Sequence, residues 1–235
     1  MFAWQVTSSA ESTRRKKQEP VRYAVSTFFK YFRANVLRRN KMSDLSYRCN
    51  FSTVDGAFNV LDVGCADGKL VETVIAGLPA DLRYKAVPHG VEISNELARK
   101  AQENMASRGG WCIHAAAYDA IKRFRSNHFD LVLMSSYLEH ELDPVGVLKR
   151  VRACLKDTGA VIVKVPNYAS VNRVLRGSRW CGFRWPDHVN YFTPHTLRLT
   201  AIAAGLEIVR INFWEINPLS DNMYAVLRKN EAYLL

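Results

Sequence analysis

The chain holds 235 residues, 48% of them apolar and 23% charged, which suffices for one sizeable core and falls short of two comfortable domains. That composition excludes wholesale disorder, and no apolar run approaches the length of a membrane span. The formal charge of +11 is unevenly spread: residues 1–50 hold 11 basic and 3 acidic side chains, whereas residues 51–235 hold 22 and 19. A near-neutral body carrying a basic arm predicts an acidic partner for residues 14–41, either an anionic membrane surface or a phosphate-bearing molecule. The first residues lack the charged-then-apolar order of an export signal, so a cytoplasmic protein, peripheral to a membrane at most, is expected. Five cysteines without a Cys-x-x-Cys pair argue against a disulfide framework, and no metal cluster is evident.

In chain order, residues 1–19 are polar, carry Arg14-Arg15-Lys16-Lys17, and read as frayed. Apolar residues at 21, 25, 28, 29, 32 and 36, set among arginines and lysines, predict an amphipathic basic helix over 20–40. From Phe58 onward strand and helix alternate. Strands are expected at 58–63, 86–92, 111–115, 129–134 and 159–165, and helices at 68–77, 94–107, around 118–125 and at 143–155. Five strands separated by helices call for a parallel sheet with right-handed crossovers. Asp143-Pro144 and Thr193-Pro194 each set a capping side chain before a proline at the first helical position. The second of these helices should stop at Gly205, and Leu206–Phe213 with Met223–Leu227 should then close the sheet as a strand pair. The division expected is an arm over 1–50 and a catalytic domain over 51–235 with a lid at 166–186.

The most informative segment is Val60-Leu61-Asp62-Val63-Gly64-Cys65-Ala66-Asp67-Gly68. A buried strand enters a turn of small residues and then a helix, whose free N–H groups favour an anionic ligand group. One strand later, Gly90-Val91-Glu92-Ile93-Ser94 ends on an acid, placed where a nucleoside's ribose hydroxyls lie in a doubly wound sheet. A nicotinamide dehydrogenase would need a third glycine to pack helix on strand, and the spacing Gly64-x-Ala66-x-Gly68 does not supply it.

These residues resemble the class I S-adenosylmethionine-dependent methyltransferases, closest to the small-molecule branch that includes the ubiquinone-biosynthesis O-methyltransferases. The resemblance spans about 55–230 and rests on four blocks: "VLDVGCADG", "GVEIS", the stretch from "FDLVLMSSYLEHELDP" to "VIVKVPN", and "DHVNYFTPHTLRLTAIAAGLEIV". It implies a doubly wound, mostly parallel seven-stranded α/β sheet and S-adenosylmethionine as cofactor. It places Asp62, Gly64, Cys65, Ala66 and Gly68 around the methionine end, Glu92 on the ribose and Ile93 against the adenine. Met134 and Ser135 would flank the sulfonium. Ala66 replaces the family's usual second glycine, and the acid usual after the third strand is missing from His114-Ala115-Ala116-Ala117.

In-line transfer from a sulfonium needs alignment above all, and a base only where the acceptor arrives protonated. His140, just past the fourth strand, and His188, beside Asp187, are the candidate bases, although each also reads as a packing histidine. The lid carries Arg173, Arg176, Arg179 and Arg184 among Trp180, Phe183 and Trp185, which suits an acidic or aromatic acceptor. The leading expectation is methylation of a small acidic, aromatic or lipophilic molecule at oxygen. A nucleic-acid methyltransferase using the arm, and a non-catalytic cofactor-binding subunit, are the alternatives.

Overall fold

The computed structural model describes residues 41–51, 56–216 and 220–230. The basic helix expected over 20–40 and the polar start before it lie outside the described residues. Their neighbour α1 (Lys41–Arg48), which the sequence assigns to the arm, is packed structure: Met42, Leu45 and Cys49 are buried in the core beside α2 and β5.

The chain continues through β1 (Phe58–Val63), α2 (Lys69–Ala76), α3 (Ala80–Lys85), β2 (Ala86–Glu92), α4 (Asn95–Ala106), β3 (Trp111–His114), α5 (Ala117–Ile121) and β4 (Phe129–Ser135). A 3-10 turn (Leu138–His140), α6 (Pro144–Cys154), β5 (Leu155–Pro166) and α7 (Val171–Arg176) follow. The described chain then ends with α8 (Pro194–Ala203), β6 (Leu206–Arg210), α9 (Phe213–Ile216) and β7 (Asn222–Lys229). The seven strands form one sheet ordered β3-β2-β1-β4-β5-β7-β6, parallel except for β7, which runs antiparallel to both neighbours. The expected mostly parallel, doubly wound sheet is therefore present.

Two apolar layers hold it. One side packs Leu61, Val63, Val132 and Met134 under α5, α6 and α8; the other packs Phe58, Val60, Leu131 and Leu133 under α1, α2 and α4. Strands buried on both faces must be near-continuous apolar runs, as Leu131–Met134 and Ala160–Val163 are. From β1 the chain winds outward to β2 and β3, then returns to β4 on the other side of β1. The carboxyl ends of β1 and β4 thus border the crevice where the order reverses, the place where ligands collect in such sheets.

Several boundaries differ from expectation. The helix around 118–125 contracts to Ala117–Ile121, and the strand over 206–213 stops at Arg210. The buried Glu215 carboxylate accepts the Asn212 N–H at 3.2 Å and sits 3.6 Å from Arg210 Nε, which draws the chain into α9 instead. Among the described residues no helix is long and apolar enough to cross a membrane.

Candidate active site

The turn after β1 is shaped by left-handed backbone. Gly64, Ala66 and Gly68 have φ of +71°, +49° and +80°. The Gly64 and Cys65 amides donate to the Val91 carbonyl at 2.9 and 3.1 Å, tying the turn to β2. A Cβ on Gly64 would lie 2.9 Å from the Tyr137 ring, and one on Gly68 would press on α4 at Met105 and Ala101. Ala66 is no neutral replacement for glycine: it holds a side chain where the backbone disfavours one by roughly 1–2 kcal/mol. The Cys65 thiol turns inward, 3.6 Å from that of Cys112, so only its main chain borders the crevice.

Glu92 ends β2 with its carboxylate already fixed: Oε2 accepts the Ala66 N–H and Oε1 the Ser94 N–H, both at 2.9 Å. A carboxylate offers about four lone-pair sites, so two remain for a ligand's hydroxyls. Beside it Asp62 is 1% exposed, and neither oxygen has a hydrogen-bond partner. Burial, with the Glu92 charge adding to it, pushes the Asp62 carboxyl up to about 8. An orphaned buried acid is costly until a donor arrives. S-adenosylmethionine, with an ammonium and a ribose diol, is chemically matched to these two acids. Ile93, next along the chain, stays 54% exposed as a large apolar side chain at the rim, which suits a flat base.

At the end of β4 the side chains part. Met134 is fully buried in the core, so only its main chain reaches the edge, while Ser135 is half-buried there. Ser136 has φ +56° and swings the chain into the 3-10 turn, with Tyr137 over the glycine turn and its hydroxyl on Glu141. Glu139 is 1% exposed, its Oε2 has no hydrogen-bond partner, and burial raises it to about 7 against the pull of Lys164 and Arg184.

The two candidate histidines, distant in sequence, stand together. His140 and His188 meet edge to face with ring centroids 4.8 Å apart. His140 Nδ1–H donates to the Asp187 carbonyl at 2.7 Å, and His188 Nδ1–H to the Gly182 carbonyl at 2.8 Å. In each neutral ring Nε2 therefore carries the lone pair. Burial holds both below the usual histidine range, His188 at about 4 with the His140 charge contributing. Ligand atoms of Glu139, His140 and His188 lie within 4.8 Å of one another, a grouping among the described residues able to hold a metal ion. No sequence motif announces it, because the third member arrives from 48 positions downstream on another loop. Glu139 was invisible for the same reason: its burial is tertiary.

The segment expected as a lid is partly structural. Trp180 is 2% exposed, donates Nε1–H to Asp221 at 2.9 Å, and anchors a ring cluster with Tyr168 and Phe183 that Tyr191 joins. Its outer part, α7, buries nothing.

Residues 14–211 match the sequence profile of a family described as a methyltransferase domain. Among curated relatives, the ubiquinone biosynthesis O-methyltransferase of Haemophilus ducreyi is 27% identical over 183 residues, covering 70% of this chain and 72% of that one. That of Cupriavidus pinatubonensis is 26% identical over 185 residues, covering 74% and 69%. Among solved structures, a SAM-dependent methyltransferase from Aquifex aeolicus superposes with a TM-score of 0.57 at 14% identity, covering 83% of this chain and 92% of that one. The [4+2]-cyclase SpnF gives 0.58 at 18% identity, covering 80% of each, so the shared fold does not by itself select a reaction. With the family profile spanning well over half its length, the chain belongs to the methyltransferase-domain family and is a class I S-adenosylmethionine-dependent methyltransferase.

Proposed function

We propose that this enzyme methylates a hydroxyl oxygen of a small molecule, and that the hydroxyl loses its proton to the chain as it reacts. The observation that carries this reading is the grouping of Glu139, His140 and His188 at the end of β4, on the sheet edge that also bears the glycine turn and Glu92. The name of the curated relatives, O-methyltransferases, points the same way.

When bound, S-adenosylmethionine supplies a methyl group on a positively charged sulfur that leaves neutral. Asp62 binds the ammonium, Glu92 the ribose hydroxyls, and Ile93 covers the adenine. The main chain of Gly64, Cys65, Ala66, Gly68, Met134 and Ser135 lines the space between. His140 accepts the hydroxyl proton at Nε2, and Glu139, a carboxyl that titrates close to neutrality, meets the imidazolium so formed. His188 acts as a positioning residue whose buried ring fixes that of His140.

The cofactor assignment is tested by thermal unfolding. S-adenosylmethionine and S-adenosylhomocysteine at a hundredfold excess over Kd should each stabilise by about 2.7 kcal/mol. NAD should not, and Glu92→Ala should abolish the effect. The base assignment is tested by labelled-methyl transfer to phenols: His140→Ala should lower kcat by about 10²–10⁴-fold while the cofactor shift persists. An unchanged kcat would remove His140 from the chemistry.

A further inference from the structure

Two thiols beneath the glycine turn serve neither the cofactor nor the proton. Cys65 follows Gly64 just past the end of β1, and Cys112 stands on β3, two strands away. Their sulfurs are nonetheless 3.6 Å apart. Gly90, on the strand between, makes the meeting possible. It pairs with Cys112 in the β2–β3 ladder, and a Cβ there would fall 2.6 Å from Cys65 Sγ and 3.3 Å from Cys112 Sγ. The side chain that glycine lacks is the space the two thiols share.

The two sulfurs differ in character. Cys65 is 3% exposed, whereas Cys112, on the edge strand of the sheet, is only half-buried. The Cys65 S–H donates to Cys112 and holds that thiol below the usual thiol range, against burial and the charges of Glu92 and Asp62. The thiolate is the nucleophile, so Cys112 is the sulfur that reacts first. Cys49 and Cys154, by contrast, lie in the apolar core, where burial pushes them up to about 11 and about 12.

We propose that Cys65 and Cys112 form a reversible disulfide that weakens cofactor binding, with hydrogen peroxide as the oxidant. The Cys112 thiolate attacks the peroxide, keeps one oxygen as a sulfenic acid and releases hydroxide, which takes up the proton Cys112 lost. The Cys65 sulfur then displaces the sulfenic oxygen as water, and the S–S bond forms. Two thiols are oxidised, one peroxide is reduced to two waters, and a dithiol reverses the change. A disulfide holds its sulfurs about 2.05 Å apart, so the pair closes by about 1.5 Å. Cys112 is braced by the β2–β3 ladder and by its N–H, which donates to Gln102 Oε1 at 2.9 Å. The movement therefore falls on the turn, where Cys65 stands between the left-handed Gly64 and Ala66. A shift there draws the Ala66 N–H away from Glu92 and alters the main chain bordering the crevice. The effect on the cofactor rests on the placement of S-adenosylmethionine at this turn under the proposed function; formation of the bond does not.

The ligand-free protein is treated with hydrogen peroxide, alkylated under denaturing conditions and digested, and its peptides are weighed. Binding of S-adenosylhomocysteine before and after is followed by calorimetry. A cross-linked Cys65–Cys112 peptide should appear, lighter than its two parts by two hydrogens, and affinity should fall about tenfold, both reversed by dithiothreitol. Saturating S-adenosylhomocysteine should in turn favour the dithiol by the same factor in dithiothreitol redox buffers, about 30 mV for a two-electron couple. Cys112→Ala should bind S-adenosylhomocysteine as the reduced wild type does and keep that affinity after peroxide. Cysteines that link in another pairing, or reach sulfinic acid without linking, overturn the pair. A linked protein that binds S-adenosylhomocysteine at full affinity overturns the switch. Should Cys112→Ala fail to fold, the cross-link in the wild type and the recovery of affinity with dithiothreitol decide alone. A reduced protein that binds no S-adenosylhomocysteine yet forms the link would support the disulfide and count against the cofactor's placement at the turn.

Discussion

At Ala66 and at Asp62 the local energetics run against stability. Relieving the first by Ala66→Gly removes a left-handed alanine at roughly 1–2 kcal/mol, less the ~0.5–1 kcal/mol of extra chain entropy glycine loses. A net gain of about 0.5–1 kcal/mol in denaturant unfolding is expected. Gly64→Ala should do the opposite, losing about 2 kcal/mol, since φ +71° and the Tyr137 ring at 2.9 Å both oppose a Cβ. Asp62→Asn is expected to stabilise the ligand-free protein above neutral pH, because the buried carboxyl with its raised pKa no longer has to ionise. The same change should weaken S-adenosylmethionine binding, a trade of function for stability measurable by paired thermal and calorimetric titrations.

At the scale of elements, the helices that frame the crevice are set by their first turns. Asp143 accepts the Gly146 N–H at 2.8 Å to start α6, and Thr193 forms a reciprocal capping box with Thr196 to start α8. Thr193→Ala should cost about 1 kcal/mol in unfolding free energy. The loop preceding α8 brings His188 to His140, its Val189 and Asn190 amides both donating to the Glu139 carbonyl at 3.0 Å. Disturbing this loop should therefore lower kcat more than it raises the KM for the cofactor, whose proposed contacts lie on β1 and β2.

For the whole molecule, the buried titratable groups predict the course of stability with pH. His89 and His188 titrate near 4 in the folded state, well below a free histidine, so the unfolded chain binds more protons from about 6.5 down to 4 and acid destabilises the fold. Asp62 at about 8 and Glu139 at about 7 act in reverse: the folded state holds more protons, so stability falls as pH rises from about 4 through 7 and 8. The opposing slopes cancel over much of pH 4.5–6.5, and above that range only the acids act. Thermal midpoints of the ligand-free protein should thus decline between pH 6.5 and 8, and the double variant Asp62→Asn, Glu139→Gln should flatten that limb.

The frame of this fold was legible along the chain because its signals are local. Buried parallel strands leave unbroken apolar runs, Asp143-Pro144 and Thr193-Pro194 mark helix starts, and Gly64 and Gly68 mark a turn whose backbone excludes most side chains. Resemblance in four ordered blocks added the cofactor and the acids proposed to hold it. Tertiary structure alone decided the rest. Nothing near Phe213 announces α9, since the cause is Glu215 buried against Arg210 and Asn212. Met134 sits in the motif yet spends its side chain in the core, a matter of which face of β4 it occupies. The Glu139–His140–His188 group unites residues 48 positions apart. Their protonation and charge depend on burial and on partners brought by other strands, and desolvation is a property of the folded neighbourhood that no stretch of sequence carries by itself.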